Sequence, residues 1–129
     1  MMKLPKTFLR GSIPPLITPF RNGRVDYDAY AGLVEFQVRN GSHGILVNGT
    51  TSEPASLTVE ERNRVVDVAI EACAGKLPIV AATGSQNLHE TSALTKHAEK
   101  AGADAILIVT PYYTRPPQRG LVEYYKKLG

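Results

Sequence analysis

Gly44-Ile45-Leu46-Val47-Asn48-Gly49-Thr50-Thr51-Ser52-Glu53 passes from a short apolar run into two adjacent hydroxyls, just ahead of an evident helix start. An apolar run of this length bounded by turn residues reads as a buried strand. After it, Gly49 lets backbone N–H groups come close to a ligand, and the hydroxyls of Thr50 and Thr51 stand where a carboxylate or phosphate would be met. Small hydroxyl residues are also the ordinary punctuation of a strand-to-helix loop. This segment alone therefore leaves a ligand site and a plain turn both open.

The pattern recurs along the chain. Ile13-Pro14-Pro15-Leu16-Ile17 ends in Thr18-Pro19-Phe20, Pro78-Ile79-Val80-Ala81-Ala82 ends in Thr83-Gly84-Ser85, and Ala105-Ile106-Leu107-Ile108-Val109 ends in Thr110-Pro111-Tyr112-Tyr113. Between these runs apolar residues fall at helical spacing: Tyr30, Leu33, Val34 and Val38; Val59, Val66, Ala69, Ile70 and Cys73; Leu94, Ala98 and Ala101; Leu121, Val122, Tyr125 and Leu128. The helix ends agree. Thr58 with Glu61 is a capping box, Asn87 with Glu90 repeats its spacing, and Gly41, Gly75 and Gly102 stand where helices should stop.

Strands each followed by a covering helix pack in parallel with right-handed crossovers. Two architectures satisfy that order, a doubly wound open sheet and part of a (β/α)8 barrel, and in both a ligand binds beyond the C-terminal strand ends. The first turn, Thr18-Pro19-Phe20-Arg21-Asn22-Gly23, matches neither a dinucleotide fingerprint nor a phosphate loop. The reading is thus α/β: four βα units of a (β/α)8 TIM barrel, with residues 1–129 as the N-terminal half of a single domain. Eight units need about 250 residues. A half-barrel alone leaves two strand edges and part of an interior layer open, so further polypeptide or a partner is expected to cover them.

Composition sets bounds. Hydrophobic residues at 43% and charged residues at 21% describe a chain able to bury a core, and no apolar run is long enough to cross a membrane. The net charge of +3 is mild and its lysines and arginines are scattered, so no nucleic-acid partner is expected. Met1–Arg10 lacks the apolar middle of a signal peptide and reads as a leader to the first strand, and a cytoplasmic location is expected. Cys73, the sole cysteine, falls on an apolar helix face as a packing residue. His43, His89 and His97 have no chelating spacing along a helix, and neither a metal nor a cofactor is expected.

Gly49-Thr50-Thr51-x-Glu53, then Leu57-Thr58-x-x-Glu61-Arg62, then Val109-Thr110-Pro111-Tyr112-Tyr113-x-x-Pro116 resemble the N-terminal half of the dihydrodipicolinate synthase and N-acetylneuraminate lyase family. The resemblance runs in order from about Gly11 to the end of the chain. It implies a barrel that condenses or cleaves 2-oxo acids, usually pyruvate, through a Schiff base on a lysine. It further implies that Thr51, aided by the amide of Gly49, binds the substrate carboxylate. Thr50 and Tyr113 would be successive links of a proton relay, with Tyr113 offered across a dimer interface in a homo-oligomer.

The chemistry asks for such groups independently. A 2-oxo acid held as an imine needs fixed donors on its carboxylate, and the carbinolamine, imine and enamine steps need protons moved through a dry pocket. Hydroxyls both donate and accept, which suits that transfer. The plain alternatives are a closed βα turn at Thr50 and Thr51, interface aromatics at Tyr112 and Tyr113, a structural acceptor at Glu53, and packing roles for Tyr124 and Tyr125.

Two departures from the family stand out. Its Schiff-base lysine and a further tyrosine belong to later strands, and Lys76, Lys96, Lys100, Lys126 and Lys127 fall on helices or their ends, so the chain alone is expected to be inactive. Ser52 stands where many synthases carry glycine, and the loop is expected to differ there. Gln86, Glu90 and Tyr112 fit the region of the family's lysine-inhibition site, whereas Val59 and Arg62 do not, so feedback by lysine is not expected. The leading function is condensation of pyruvate with aspartate semialdehyde to the dihydrodipicolinate precursor. Its alternatives are another 2-oxo-acid lyase of the family, a noncatalytic half-barrel assembly module and, lowest, a nucleotide-binding open sheet.

Overall fold

The chain enters its sheet at Pro15, bridged in parallel to Leu46. Leu16 N donates to Leu46 O and Leu46 N to Pro14 O, both at 3.1 Å. The ladder stops there because Pro14 and Pro15 have no N–H to give, so the expected first strand is a bridge rather than a ladder. This computed structural model describes residues 8–129, and the part of the expected leader at residues 1–7 lies outside them. An unforeseen hairpin follows. β1 (Phe20–Arg21) pairs antiparallel with β2 (Arg24–Val25) around Asn22 and Gly23, at φ 52° and 76°. Both turn residues take the left-handed conformation of a type I′ turn, for which Asn-Gly is the favoured pair.

α1 (Tyr27–Arg39) starts at Asp26, whose carboxylate accepts from Ala29 N at 3.0 Å. β3 (Ile45–Val47) leads through two short 3-10 turns, Thr50–Ser52 and Pro54–Ser56, to α2 (Val59–Cys73). The capping box forms as expected: Thr58 Oγ1 accepts from Glu61 N at 3.1 Å, and Glu61 Oε2 from Thr58 N at 2.9 Å. β4 (Ile79–Ala82), α3 (Leu88–Ala101), β5 (Ala105–Leu107) and α4 (Gln118–Leu128) complete the order. At α3 only half of the expected box exists. Asn87 Oδ1 accepts from the amides of His89 and Glu90, but the Asn87 amide goes to Ser85 Oγ, and the Glu90 carboxylate is turned toward Arg62. Gly102, at φ 105°, ends α3 in the left-handed conformation that a C-terminal cap requires.

The three strands are parallel in the order β3-β4-β5, with Ile45 opposite Ile79, Val47 opposite Ala81, and Ala81 opposite Ile106. Side chains alternate across a sheet. On the helix-covered face Ile45, Val47, Ile79 and Ala81 are buried with Val65, Val66 and Ala69 of α2, Tyr30 and Val34 of α1 and Ala98 of α3. Cys73 is buried in this layer, as expected, and exchanges weak hydrogen bonds with the backbone of Leu77. The opposite face is only partly covered: Val80 is buried at its centre, but Ile17, Leu107 and Val109 are each about half exposed. On α4 the apolar positions expected to pack do so poorly. Only Tyr124 is buried, whereas Val122 and Tyr125 are exposed, because little of the sheet lies beneath that helix. No helix among the described residues is long and apolar enough to cross a membrane.

Candidate active site

The C-terminal ends of β3, β4 and β5 border an open cleft of about 530 Å³. Its lining includes Asn48, Gly49 and Thr50 after β3, Ala82 and Gly84 at β4, Leu107 and Val109 at β5, and Tyr112 beyond. Asn48, at φ 57°, turns the chain sharply off β3 and is pinned by its Nδ2 donating to Arg62 O at 2.9 Å. Gly49 is buried, and a Cβ there would lie 3.0 Å from Leu46 Cδ2, a tight contact that the leucine side chain would have to yield to. Gly49 O and Thr50 O then accept from Ser52 N and Glu53 N, which winds the loop into its first 3-10 turn. Thr50 and Thr51 are exposed, and no described residue engages either hydroxyl.

The expected site residues divide here. Gly49 and Thr50 meet in the cleft with Tyr112. Thr51 and Tyr113 do not line it, and Tyr113 is 98% exposed on a left-handed backbone at φ 68°. The strain expected at Ser52 lies one residue on, at Glu53, with φ 53°. Ser52 is instead fully buried. Its Oγ donates to Leu16 O at 2.6 Å while its carbonyl accepts from Thr18 Oγ1 at 2.8 Å, tying the loop to the first run. Glu53 does serve as an acceptor, but through its backbone carbonyl toward Ser56 N.

The other strand-end threonines are not equivalent to Thr50. Thr18 is consumed by Ser52, and Thr83, also buried, lies 2.8 Å from Thr95 Oγ1. The Thr95 proton goes to Thr91 O, so Thr83 is the donor of that pair. Of the four threonines that close the apolar runs, Thr50 and Thr110 are left open to solvent.

Sequence reasoning missed the cation beneath the cleft. Arg62 is 4% exposed, and its Nη2 donates to Ala82 O and Gly84 O, both at 3.2 Å, while Nη1 lies 3.7 Å from Glu90 Oε1. Burial pulls its pKa down, opposed by Glu90 and Tyr112. Within the described residues Arg62 Nε and Asn48 Oδ1 are buried without partners. The signal was present: Arg62 stands three residues after Val59 and four before Val66, on the apolar stripe of α2. Gly84 is fixed by a different constraint, since a Cβ there would come within 2.7 Å of Val109 N. His97 pairs with Asp67 at 2.8 Å across α3 and α2, a contact between helices that spacing along one helix does not reveal. Among the described residues no three His, Cys, Asp or Glu side chains converge as a metal site.

Residues 8–128 match the family model described as the dihydrodipicolinate synthetase family. The 4-hydroxy-tetrahydrodipicolinate synthase of Syntrophus aciditrophicus is 48% identical over 120 residues, covering 93% of this chain and 41% of that protein. The crystal structure of dihydrodipicolinate synthase from Aquifex aeolicus superposes with a TM-score of 0.91 at 48% identity, over 93% of this chain and 41% of its own. The chloride-inhibited Acinetobacter baumannii synthase, complexed with pyruvate, gives 0.89 at 40% identity, over 93% and 42%. This chain therefore spans about two-fifths of the length of these relatives. A family match from Phe8 to Leu128, in step with the parallel βα units and the strand-end cleft, means that the chain belongs to the dihydrodipicolinate synthetase family.

Proposed function

We propose that the chain forms the first four βα units of a (β/α)8 barrel, one domain whose complete form condenses pyruvate with aspartate semialdehyde as a 4-hydroxy-tetrahydrodipicolinate synthase. The observation that carries this reading is the meeting of Gly49 and Thr50 with Tyr112 at the C-terminal strand ends, on the side where the sheet's apolar face is uncovered. Barrels place their chemistry on that end. The pyruvate complexed with the Acinetobacter relative supports this substrate, and the name of the Syntrophus relative supports this product.

In this mechanism the loop after β3 holds the pyruvate carboxylate through the Gly49 amide in the cleft and through Thr51, which stands outside the cleft formed by these residues alone and must turn toward it. The carboxylate charge persists while the neighbouring carbon becomes nucleophilic. Thr50 passes protons between the reacting nitrogen and oxygen and Tyr113. The exposure of the Tyr113 ring suits a group presented to a second subunit. The Schiff-base nucleophile is a lysine of the later strands, since no described lysine lines the cleft. An ammonium group on a solvated helix stays protonated and is a poor nucleophile.

The test joins this chain to the remaining portion of the Syntrophus relative and traps pyruvate with borohydride. The chimera should gain a lysine adduct and condense both substrates. Thr50→Val should lower kcat about 100-fold, the scale of a lost proton-transfer group. The isolated chain of 14.0 kDa should stay unmodified. An adduct on the isolated chain would place the nucleophile within these residues, and full turnover by the Thr50→Val chimera would remove Thr50 from the relay.

A further inference from the structure

Resting on the relay role given to Tyr113, we infer that Tyr124 is a positioning residue for the arm that carries it. That arm, residues 108–117, has no regular structure and holds two left-handed residues, Tyr113 and Arg115. Its first root is the contact of Val109 with Gly84. Its second root is α4, and α4 is secured by phenols rather than by an apolar interface.

Tyr124 OH donates to Thr91 Oγ1 at 3.0 Å. Thr91 is fully buried, and the same oxygen accepts from Ser85 N at 3.0 Å and donates toward Ser85 O at 3.3 Å. Tyr124 OH also reaches Ser85 O at 3.5 Å, so the phenol joins both oxygens of a buried hydroxyl and carbonyl pair, with Thr91 Oγ1 the nearer acceptor. Beside it, Tyr125 OH donates to Ile108 O at 2.9 Å, with the two rings edge to face at 5.3 Å. Both roots of the arm thus land on the adjacent pair Gly84 and Ser85. A shift of α4 against Ser85 acts on the arm directly and on the loop after β3 only at one remove, since Tyr124, Thr91 and Ser85 make no hydrogen bond to Gly49 or Thr50 and the connection runs through Gly84 O, Arg62 and Asn48.

Tyr124→Phe keeps the ring and removes the donor, and Thr91→Val removes the acceptor from the other side. Two readouts keep failure of this inference apart from failure of the pyruvate reading. In the chain itself, amide exchange of α4 should quicken about tenfold in Tyr124→Phe, the scale of one lost buried hydrogen bond, with α1 and α2 unchanged. In the barrel-length chimera, kcat should fall about tenfold while KM for pyruvate holds within twofold, as expected for loss of an interaction felt in the transition state alone. Thr91→Val should behave alike. Tyr124→Phe should cost nothing further in a Tyr113→Phe background, since residues acting through one another are not additive. Unchanged exchange in α4, or fully additive losses, would overturn the inference. If the unaltered chimera does not turn over pyruvate, the relay reading falls and takes the catalytic role of the arm with it, while the exchange result separately decides whether Tyr124 anchors α4.

Discussion

The two faces of the three-stranded sheet carry residues of the same kind in opposite circumstances. On one face Ile45, Val47, Ile79 and Ala81 are buried against the helices; on the other Leu107, Val109 and Ile17 are half exposed. Since alternate residues of one strand point to opposite faces, Ile106 packs against the core and its neighbour Leu107 stands open. Hydrophobicity therefore does not distinguish the faces, and only the presence of a covering layer does. The cleft lies on the open side, where Thr50 and Tyr112 remain available, while Thr18 and Thr83 are tied into buried hydrogen bonds.

Substitution on the two faces gives the largest expected contrast. Ile45→Ala in this chain should cost about 2–5 kcal/mol, from lost transfer energy and the cavity left behind, whereas Leu107→Ala should change stability by no more than about 0.5 kcal/mol. Urea unfolding of both variants checks this. Equal losses would mean that the open face is already covered in solution, and dilution would then tell self-association from intramolecular cover. Next in size is Arg62→Met, which strips the donor from Ala82 O and Gly84 O and should cost about 1–3 kcal/mol. Near-normal stability in that variant would mean that water replaces the guanidinium, and the cleft floor would then be wet rather than cross-linked by Arg62.

The covered face was readable in the sequence because its cause is local and periodic. The Thr58 and Glu61 box, the helical spacing of Val66, Ala69 and Cys73, and the glycines after the helices all state their role through neighbours within one turn. The family resemblance on Gly49-Thr50-Thr51 and Tyr112-Tyr113 adds an expected chemistry at the strand ends, and the structure brings Gly49, Thr50 and Tyr112 together but leaves Thr51 and Tyr113 apart. What stayed hidden depends on residues distant in the chain. Ser52 reaches Leu16, Arg62 reaches Gly84 and Tyr124 reaches Thr91, and no periodicity encodes those pairings. The hairpin at Asn22-Gly23 shows in the sequence only as a turn, because two-residue strands carry almost no alternating pattern.

A smaller effect belongs to the cap of the helix that completes the covered face. Asn87→Ala deprives the amides of His89 and Glu90 of their shared acceptor and should cost about 1 kcal/mol. Loosening the start of α3 also loosens Glu90, whose carboxylate faces Arg62. Amide exchange in the first turn of α3 and at Gly84 measured together would separate a local cap from one felt at the cleft. Exchange at His89 that does not change would show that solvent substitutes for Asn87 at no cost.

The smallest effect is one of pH, at the cap of α1. Hydrogen bonding from Ala29 N, then from Arg21, holds the Asp26 carboxyl below the usual carboxylate range. Its folded pKa is thus lower than its unfolded one, so its contribution to stability is present above the unfolded value and is lost as pH falls through the folded value. Asp26→Asn keeps an acceptor for Ala29 N but removes the charge that answers Arg21. The urea midpoint of the unsubstituted chain should exceed that of Asp26→Asn near neutrality, and the gap should close on acidification below the ordinary carboxylate range. Arg21 is largely exposed, so salt should narrow the same gap at neutral pH. A gap that survives acid would assign the difference to cap geometry alone, and the covered face would then owe nothing to charge at the start of α1.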